Sequence, residues 1–499
     1  MGEVTADGHH LDLTDAEKVI FRKFRVVASP QALEGLRRAQ RVLERAVEDE
    51  RPIYGVNTGL GKLSTLRIEK NELLSLQRNL VRSHATAVGK PLPEEVVRGI
   101  LLFRANSLLK GYSGVRAEVV TLLLEMLNRE VYPVVPEQGS VGASGDLAPL
   151  AHVALVLLGE GKALYRGETL SGAEALRRAG LEPLGELLPK EGLALLNGTA
   201  CMLALVFLGY VLGWRAFRAG ILAAALTFQA LRGRTEPLDA RIHDLRPHPG
   251  QREVAAVLRE LLKESELVNT FHGDVQDPYS LRCLPQILGP VLETLWLVEG
   301  RIRVEMNSAT DNPLIFPDGT VLSGGNFHGE ILAFVAEWLA VALCELAASC
   351  ERRIALLLSA SDRGLPPFLA QEGGKNSGLM LVQYTAAALV GENKVLAHPA
   401  AVDSIPTSAG KEDHNSFGAT SAWKLWRIAE NTVRVVALEL VCARWALELA
   451  GAGKLSPGTR SGYKKLCELV PPPGEDRYLG DAIDAVTQSV RKGEIGHGL

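Results

Sequence analysis

The chain has no basic block. Its 54 Lys and Arg are set against 58 Asp and Glu, for a net charge of −4, which argues against nucleic acid as a partner. Cysteine is scarce, with six in 499 residues, at positions 201, 283, 344, 350, 442 and 467. None is paired at metal-binding spacing, and several lie in apolar helical runs, where cysteine behaves as a small hydrophobe. Neither a disulfide framework nor a metal site follows. Aromatic residues make up only 5%, while 47% of the chain is hydrophobic and rich in Ala and Leu. That composition fits a large helical core in a soluble protein. The first residues hold no apolar run of the kind that opens a secretory signal, so a cytoplasmic location is expected. No repeat with a period of about 20–50 residues is present.

One stretch tests the soluble reading. Leu193 to Gly213 is 21 residues without a formal charge, long enough to span a bilayer. It contains Asn197-Gly198-Thr199 and has no basic flank, so a buried core helix is expected and no membrane partner. Long helices are expected over 200–232, 281–307, 329–360, 377–397 and 416–450, where apolar residues recur at helical spacing. Glu330, Glu337, Glu345 and Glu351 punctuate the third of these. Such helices must bury wide faces on one another, which implies a bundle, and the faces are extensive enough that subunits are expected to share it. Earlier in the chain, Thr14-Asp15-Ala16-Glu17 reads as a capping box, and Ser29-Pro30 as a second helix start with Pro at the first position. The expected division is an N-terminal mixed domain over 1–199 and a long-helix bundle over 200–499.

Between a polar turn and an apolar run lies Gly139-Ser140-Val141-Gly142-Ala143-Ser144-Gly145-Asp146-Leu147. Its three glycines permit bends that other residues forbid. One reading is a loop with a helix cap, Ser144 or Asp146 accepting from the first-turn amides. A phosphate-binding loop is disfavoured, because the Lys-Ser/Thr ending is missing. The other reading is chemical. If the Gly145 nitrogen reaches the Ala143 carbonyl carbon, a five-membered ring closes. Loss of water from the ring and from the Ser144 hydroxyl then leaves an exocyclic methylene, an electrophile that no standard side chain provides.

The string from Gly139 to His152 closely resembles the signature of the aromatic amino acid ammonia-lyases, and further matches run from Tyr54 to His414. The resemblance implies that Ala143-Ser144-Gly145 becomes a methylidene-imidazolone (MIO) group, with no metal or soluble cofactor. It implies a mainly α, fumarase/aspartase-like fold and a homotetramer whose active sites draw on three subunits. Tyr54, in the loop Tyr54-Gly55-Val56-Asn57-Thr58-Gly59, matches the family's catalytic tyrosine on a closing lid. A free phenol has a pKa near 10, so the site is expected to lower it. Tyr279 matches a second tyrosine that orients the substrate ring or the base. Arg282 has the fork to grip a carboxylate. Asn197 and Gln276 are implied at the MIO oxygen and the substrate's amino or carboxylate group, and Phe327 in the pocket lining.

Two places bear on the substrate. Ser83-His84 and Glu412-Asp413-His414 resemble the histidine-specific branch, in which the glutamate faces the imidazole. A carboxylate there complements an imidazole and disfavours a phenyl ring. The chain departs from that branch at Ala200, Leu284 and Lys411, positions that touch substrate choice rather than the chemistry. The expected reaction is elimination of ammonia from L-histidine to give trans-urocanate. A tyrosine or phenylalanine ammonia-lyase, or a 2,3-aminomutase, on the same scaffold is the alternative.

Overall fold

The computed structural model describes residues 2–49 and 51–496. The fold is mainly helical and divides into two units. One contains the segment up to Leu208, Gly300–Glu337 and Pro399–Trp423. The other contains Gly209–Glu299, Trp338–His398 and the segment from Lys424 onward. The chain passes from one to the other inside four of its long helices and once between His398 and Pro399, so these units differ from a single cut at residue 199.

The first unit is built on the helix Glu94–Leu109, in which every residue from Val96 to Leu109 is buried. Two arginines, Arg98 and Arg104, lie buried inside it. Arg98 donates to the Ile20 carbonyl at 3.0 Å and to the Tyr132 hydroxyl at 2.5 Å. Helix starts follow local chemistry. Ser29 caps Pro30–Glu48 by accepting from the Ala32 amide at 3.1 Å, with Pro30 in the first turn. The earlier cap differs from the sequence reading: Asp12, not Thr14, opens the helix Leu13–Arg22, accepting from the Asp15 amide. An Asp one residue before the helix outcompetes a Thr already inside it. The strands of this unit are short and lie in four small sheets. Lys162–Tyr165 and Glu168–Ser171 form a hairpin closed by Arg166-Gly167. Both turn residues have positive φ, the geometry that matches strand twist.

The five long helices span Ala200–Ala230, Leu284–Glu305, Glu330–Ser359, Met380–Leu396 and Gly418–Ala450, each within a few residues of its expected bounds. Ala200–Ala230 and Glu330–Ser359 are both long and apolar enough to cross a membrane. In their most apolar windows, 89% and 61% of residues are buried, so the first is a core helix. The charge-free run from Leu193 is not one helix. Glu191–Leu196 ends at Asn197, and the next helix begins at Ala200. Gly198 lies in the break, where a Cβ would come within 2.2 Å of the Arg104 guanidinium. In the second unit, a buried ion pair ties Glu330–Ser359 to Gly418–Ala450. Arg353 Nε and Nη2 meet the two Glu439 oxygens at 2.6 and 2.7 Å, and Thr227 donates to the same carboxylate at 2.9 Å.

Candidate active site

A cavity of about 840 Å³ opens in the first unit. Six chain segments and Asn312 line it: the 54–68 loop, the helix Leu73–His84, the loop ending at Leu147, the break around Asn197, and the loops at 327–328 and 408–414. Tyr54, His84, Ala143, Ser144, Asn197, Phe327 and Glu412 all contribute to its wall.

The loop before Leu147 is held from several sides. Ser140 Oγ donates to the Gly145 carbonyl at 3.3 Å and to Asp146 Oδ1 at 3.1 Å, and accepts from the Gly142 amide at 3.2 Å. Gly145 lies flush against Gly198 as an isolated bridge. Its φ is +76°, and a Cβ would come within 2.2 Å of the Gly198 carbonyl oxygen. Only glycine satisfies both conditions. Asp146 carries the loop onto the next helix. Its amide donates to Gly198 O at 2.7 Å, and its Oδ2 accepts from the Cys201 and Met202 amides at 2.9 Å each. The cap reading therefore holds for Asp146 in a different place, at the start of Ala200–Ala230 rather than of its own helix. Burial pushes its carboxyl up to about 7, against the pull of the Met202 and Cys201 amides and the Ser140 hydroxyl.

Ser144 is half-buried, and its hydroxyl donates to Glu412 Oε1 at 3.1 Å. Glu412 Oε2 accepts from Thr407 Oγ1 at 2.7 Å, and the backbones of these two residues pair across the turn between them. That pairing fixes the carboxylate beside the Ala143–Gly145 loop. The Tyr54 hydroxyl accepts from the Gly61 amide at 3.0 Å. The polar residues of its loop are structural: Asn57 accepts from the Ile53 amide and donates to Arg51 O, and Thr58 braces Gly55. His84 Nδ1 lies 2.9 Å from Leu80 O. A carbonyl only accepts, so Nδ1 holds the proton and Nε2 is the acceptor.

The electrostatics depart from the sequence reading at Tyr54. Burial raises the phenol, the Glu412 charge adds to that, and the Gly61 amide works against it. Among the described residues only the Gly61 amide opposes the desolvation, and it does not outweigh it. Burial also lowers His84, with the Leu80 carbonyl and Glu412 opposing.

Three expected residues do not line this cavity. Gln276, Tyr279 and Arg282 belong to the second unit. Gln276 lies exposed in a loop. Tyr279 is 68% exposed, and the Arg282 guanidinium stacks 4.6 Å from its ring. Conversely, Asn79, Leu80, Ser408 and Thr407 escaped the sequence reading. Asn79 and Leu80 lie one turn before Ser83-His84 on the same helix, so helical spacing alone could have placed them. Thr407 had no such signal, because its role depends on the turn that pairs it with Glu412.

The residues present fit an MIO group. The Gly145 cradle excludes any Cβ, Ser144 presents its hydroxyl to the cavity wall, and Asn197 Oδ1 is a buried polar atom without a hydrogen-bond partner among the described residues.

Known proteins resemble the whole chain. It is 49% identical over 498 residues to the histidine ammonia-lyase of Caldanaerobacter subterraneus subsp. tengcongensis, covering 99% of this chain and 98% of that one. The tyrosine aminomutase structure from Streptomyces globisporus superposes with a TM-score of 0.94 at 36% identity, over 99% and 97% of the two chains. The histidine ammonia-lyase structure from Trypanosoma cruzi does so with 0.92 at 40%, over 99% and 94%. Residues 11–468 match the family described as aromatic amino acid lyase, and with relatives this similar along its full length the chain belongs to that family.

Proposed function

We propose that this chain eliminates ammonia from L-histidine, giving trans-urocanate, in cytoplasmic histidine degradation. The observation that carries the reading is the Glu412 carboxylate, hydrogen-bonded to Ser144 and lining one cavity with His84. A charged acceptor at that place suits an imidazole N–H and leaves a phenyl ring facing an uncompensated charge. Relatives named histidine ammonia-lyase support it.

An MIO group formed from Ala143, Ser144 and Gly145 supplies the electrophile that lets a poor leaving group depart as ammonia. The chain's own residues do the rest. Tyr54, on its lid loop, takes the β-proton. Burial raises its phenol, and an entering substrate ammonium favours the phenolate. Glu412 and His84 orient the imidazole, and Phe327 walls it off from water.

Arg282, Tyr279 and Gln276 reach the site from neighbouring copies in a homotetramer. Two features support this: none of the three lines the cavity, and the helix Glu330–Ser359 exposes Ile331, Phe334, Trp338 and Val341 along one side. Arg282 then grips the substrate carboxylate.

The test is a spectrophotometric assay with L-histidine, L-tyrosine and L-phenylalanine side by side, with product analysis for β-amino acids. Urocanate from L-histidine is the expected result. Preference for tyrosine or phenylalanine, or a β-amino acid product, overturns the assignment.

A further inference from the structure

Behind the cavity wall lies a cluster of charge that the reaction above does not use. The side chains of Lys190 and Asp311 are fully buried, with Nζ and Oδ2 2.5 Å apart. Arg104 is buried alongside, donating to the Thr310 carbonyl at 3.4 Å and to the Ala194 carbonyl. Lys190 also has a left-handed backbone, φ +76°, which costs a side-chain-bearing residue strain. Burial pushes its ammonium down, with Asp311 opposing and Arg104 reinforcing. A buried pair of this kind is a weak source of stability, because desolvation offsets the attraction. It calls for another role.

That role lies at Asn197. Its Nδ2 donates to Asp311 Oδ1 at 3.3 Å and to the Asn312 carbonyl at 3.1 Å. Two acceptors fix the orientation of the amide, since turning it over would set Oδ1 against both. Asp311 is itself clamped: Lys190 takes one oxygen, and the Asn312 amide donates to the other at 2.7 Å. Asn197 is 2% exposed and lines the cavity. Its Oδ1 is buried with no hydrogen-bond partner among the described residues. An unpaired buried acceptor is costly, and a donor from a bound ligand removes that cost. The ligand class that supplies one beside the Ala143–Gly145 loop is a primary ammonium.

We infer that Asp311, clamped by Lys190, is a positioning residue that turns the Asn197 carbonyl toward the cavity to accept a hydrogen bond from the substrate's α-ammonium group. This rests on the ammonia-lyase reading, but on its amine and not on its ring.

The experiment compares two ligands on the assembled enzyme: L-histidine, by kcat and KM, and its deaminated analogue 3-(imidazol-4-yl)propanoate, by its competitive inhibition constant. The variant is Lys190→Met with Asp311→Asn, which removes both charges together. A hydrogen bond to a charged group corresponds to a loss of about 10- to 100-fold. The expected result is a fall of that size in kcat/KM, carried largely by KM, with the analogue's inhibition constant within about twofold of the parent's. A merely structural pair weakens both ligands alike, and that result overturns the inference, as does no change in either. Asn197→Ala removes the acceptor without touching the charges and predicts the same selective loss; where the double variant fails to fold, Lys190→Gln, which keeps a donor for Asp311 without the charge, tests the clamp, and equal weakening of both ligands or no change in either overturns the inference. If the parent enzyme prefers L-tyrosine, the histidine assignment fails, and the same comparison with tyrosine and its deaminated analogue tests this inference alone.

Discussion

Replacing Glu412 with Gln keeps the side chain's shape and removes its charge, so it isolates the feature on which the substrate reading rests. The carboxylate accepts from Ser144 and Thr407 at 3.1 and 2.7 Å, and a glutamine can rotate to keep one of these. A hydrogen bond to a charged group is worth about 1.5–3 kcal/mol and a neutral one about 0.5–1.5. The imidazole contact therefore weakens by about 1–2 kcal/mol, or about 5- to 30-fold in kcat/KM for L-histidine. A phenyl ring gains from the lost charge, so the ratio of L-histidine to L-phenylalanine turnover falls further than L-histidine turnover itself. The variant also carries a second signature. The Glu412 charge raises both Tyr54 and His84, so both groups shift to lower pKa when it is gone. For a catalytic phenolate, the rising limb of the pH–rate profile moves toward acid. The assay is kcat/KM for both amino acids across pH. Unchanged discrimination together with an unmoved pH profile refutes the reasoning.

Ser144→Ala has no hydroxyl to lose as water, so activity should be abolished with the fold retained; intact mass spectrometry should find the parent enzyme two waters lighter than its sequence, and this variant lighter by one water at most. Gly145→Ala forces a Cβ against the Gly198 carbonyl at 2.2 Å in a left-handed backbone, a strain of about 1–3 kcal/mol; it should leave the full mass of the unmodified chain, and a variant that still loses two waters contradicts the cradle. Asp146 titrates upward on folding, to about 7, so its contribution is fully present below about pH 4 and is lost as pH rises through about 7, by at most about 4 kcal/mol; denaturant melts at pH 5 and pH 7.5 should show that fall in the parent and not in Asp146→Asn. In the second unit, Glu439→Gln leaves Arg353 buried without its anion and should cost about 3–5 kcal/mol, whereas Arg353→Met with Glu439→Met should cost far less; equal costs in thermal melts would count against the pair as described.

The helices were legible because they are long and their apolar periodicity is sustained. Ala200–Ala230 and Gly418–Ala450 could hardly be read otherwise, and Ser29-Pro30 announced its helix through two independent signals. The Ala143–Gly145 loop stood out because several glycines cluster before an apolar run. What escaped depends on meetings between distant segments. Lys190 and Asp311 are 121 residues apart, and nothing local marks either as buried. Thr407 matters only through the turn that returns to Glu412. The expected lowering of Tyr54 failed for a related reason: motif membership gives the residue, whereas its acidity depends on how much water the surrounding chain removes. Gln276, Tyr279 and Arg282 were named by motif alone, and none of them lines the cavity of the first unit.

Asp146 joins two events that are usually separate. Its amide and carboxylate bind the tight loop to the first turn of a 31-residue helix, so the loop's shape depends on that helix being in place. A ring closed there is a covalent record that the core has formed, written once and not erased when the protein later unfolds. The fraction of molecules carrying it then counts the chains that have ever folded, even in a sample that no longer is.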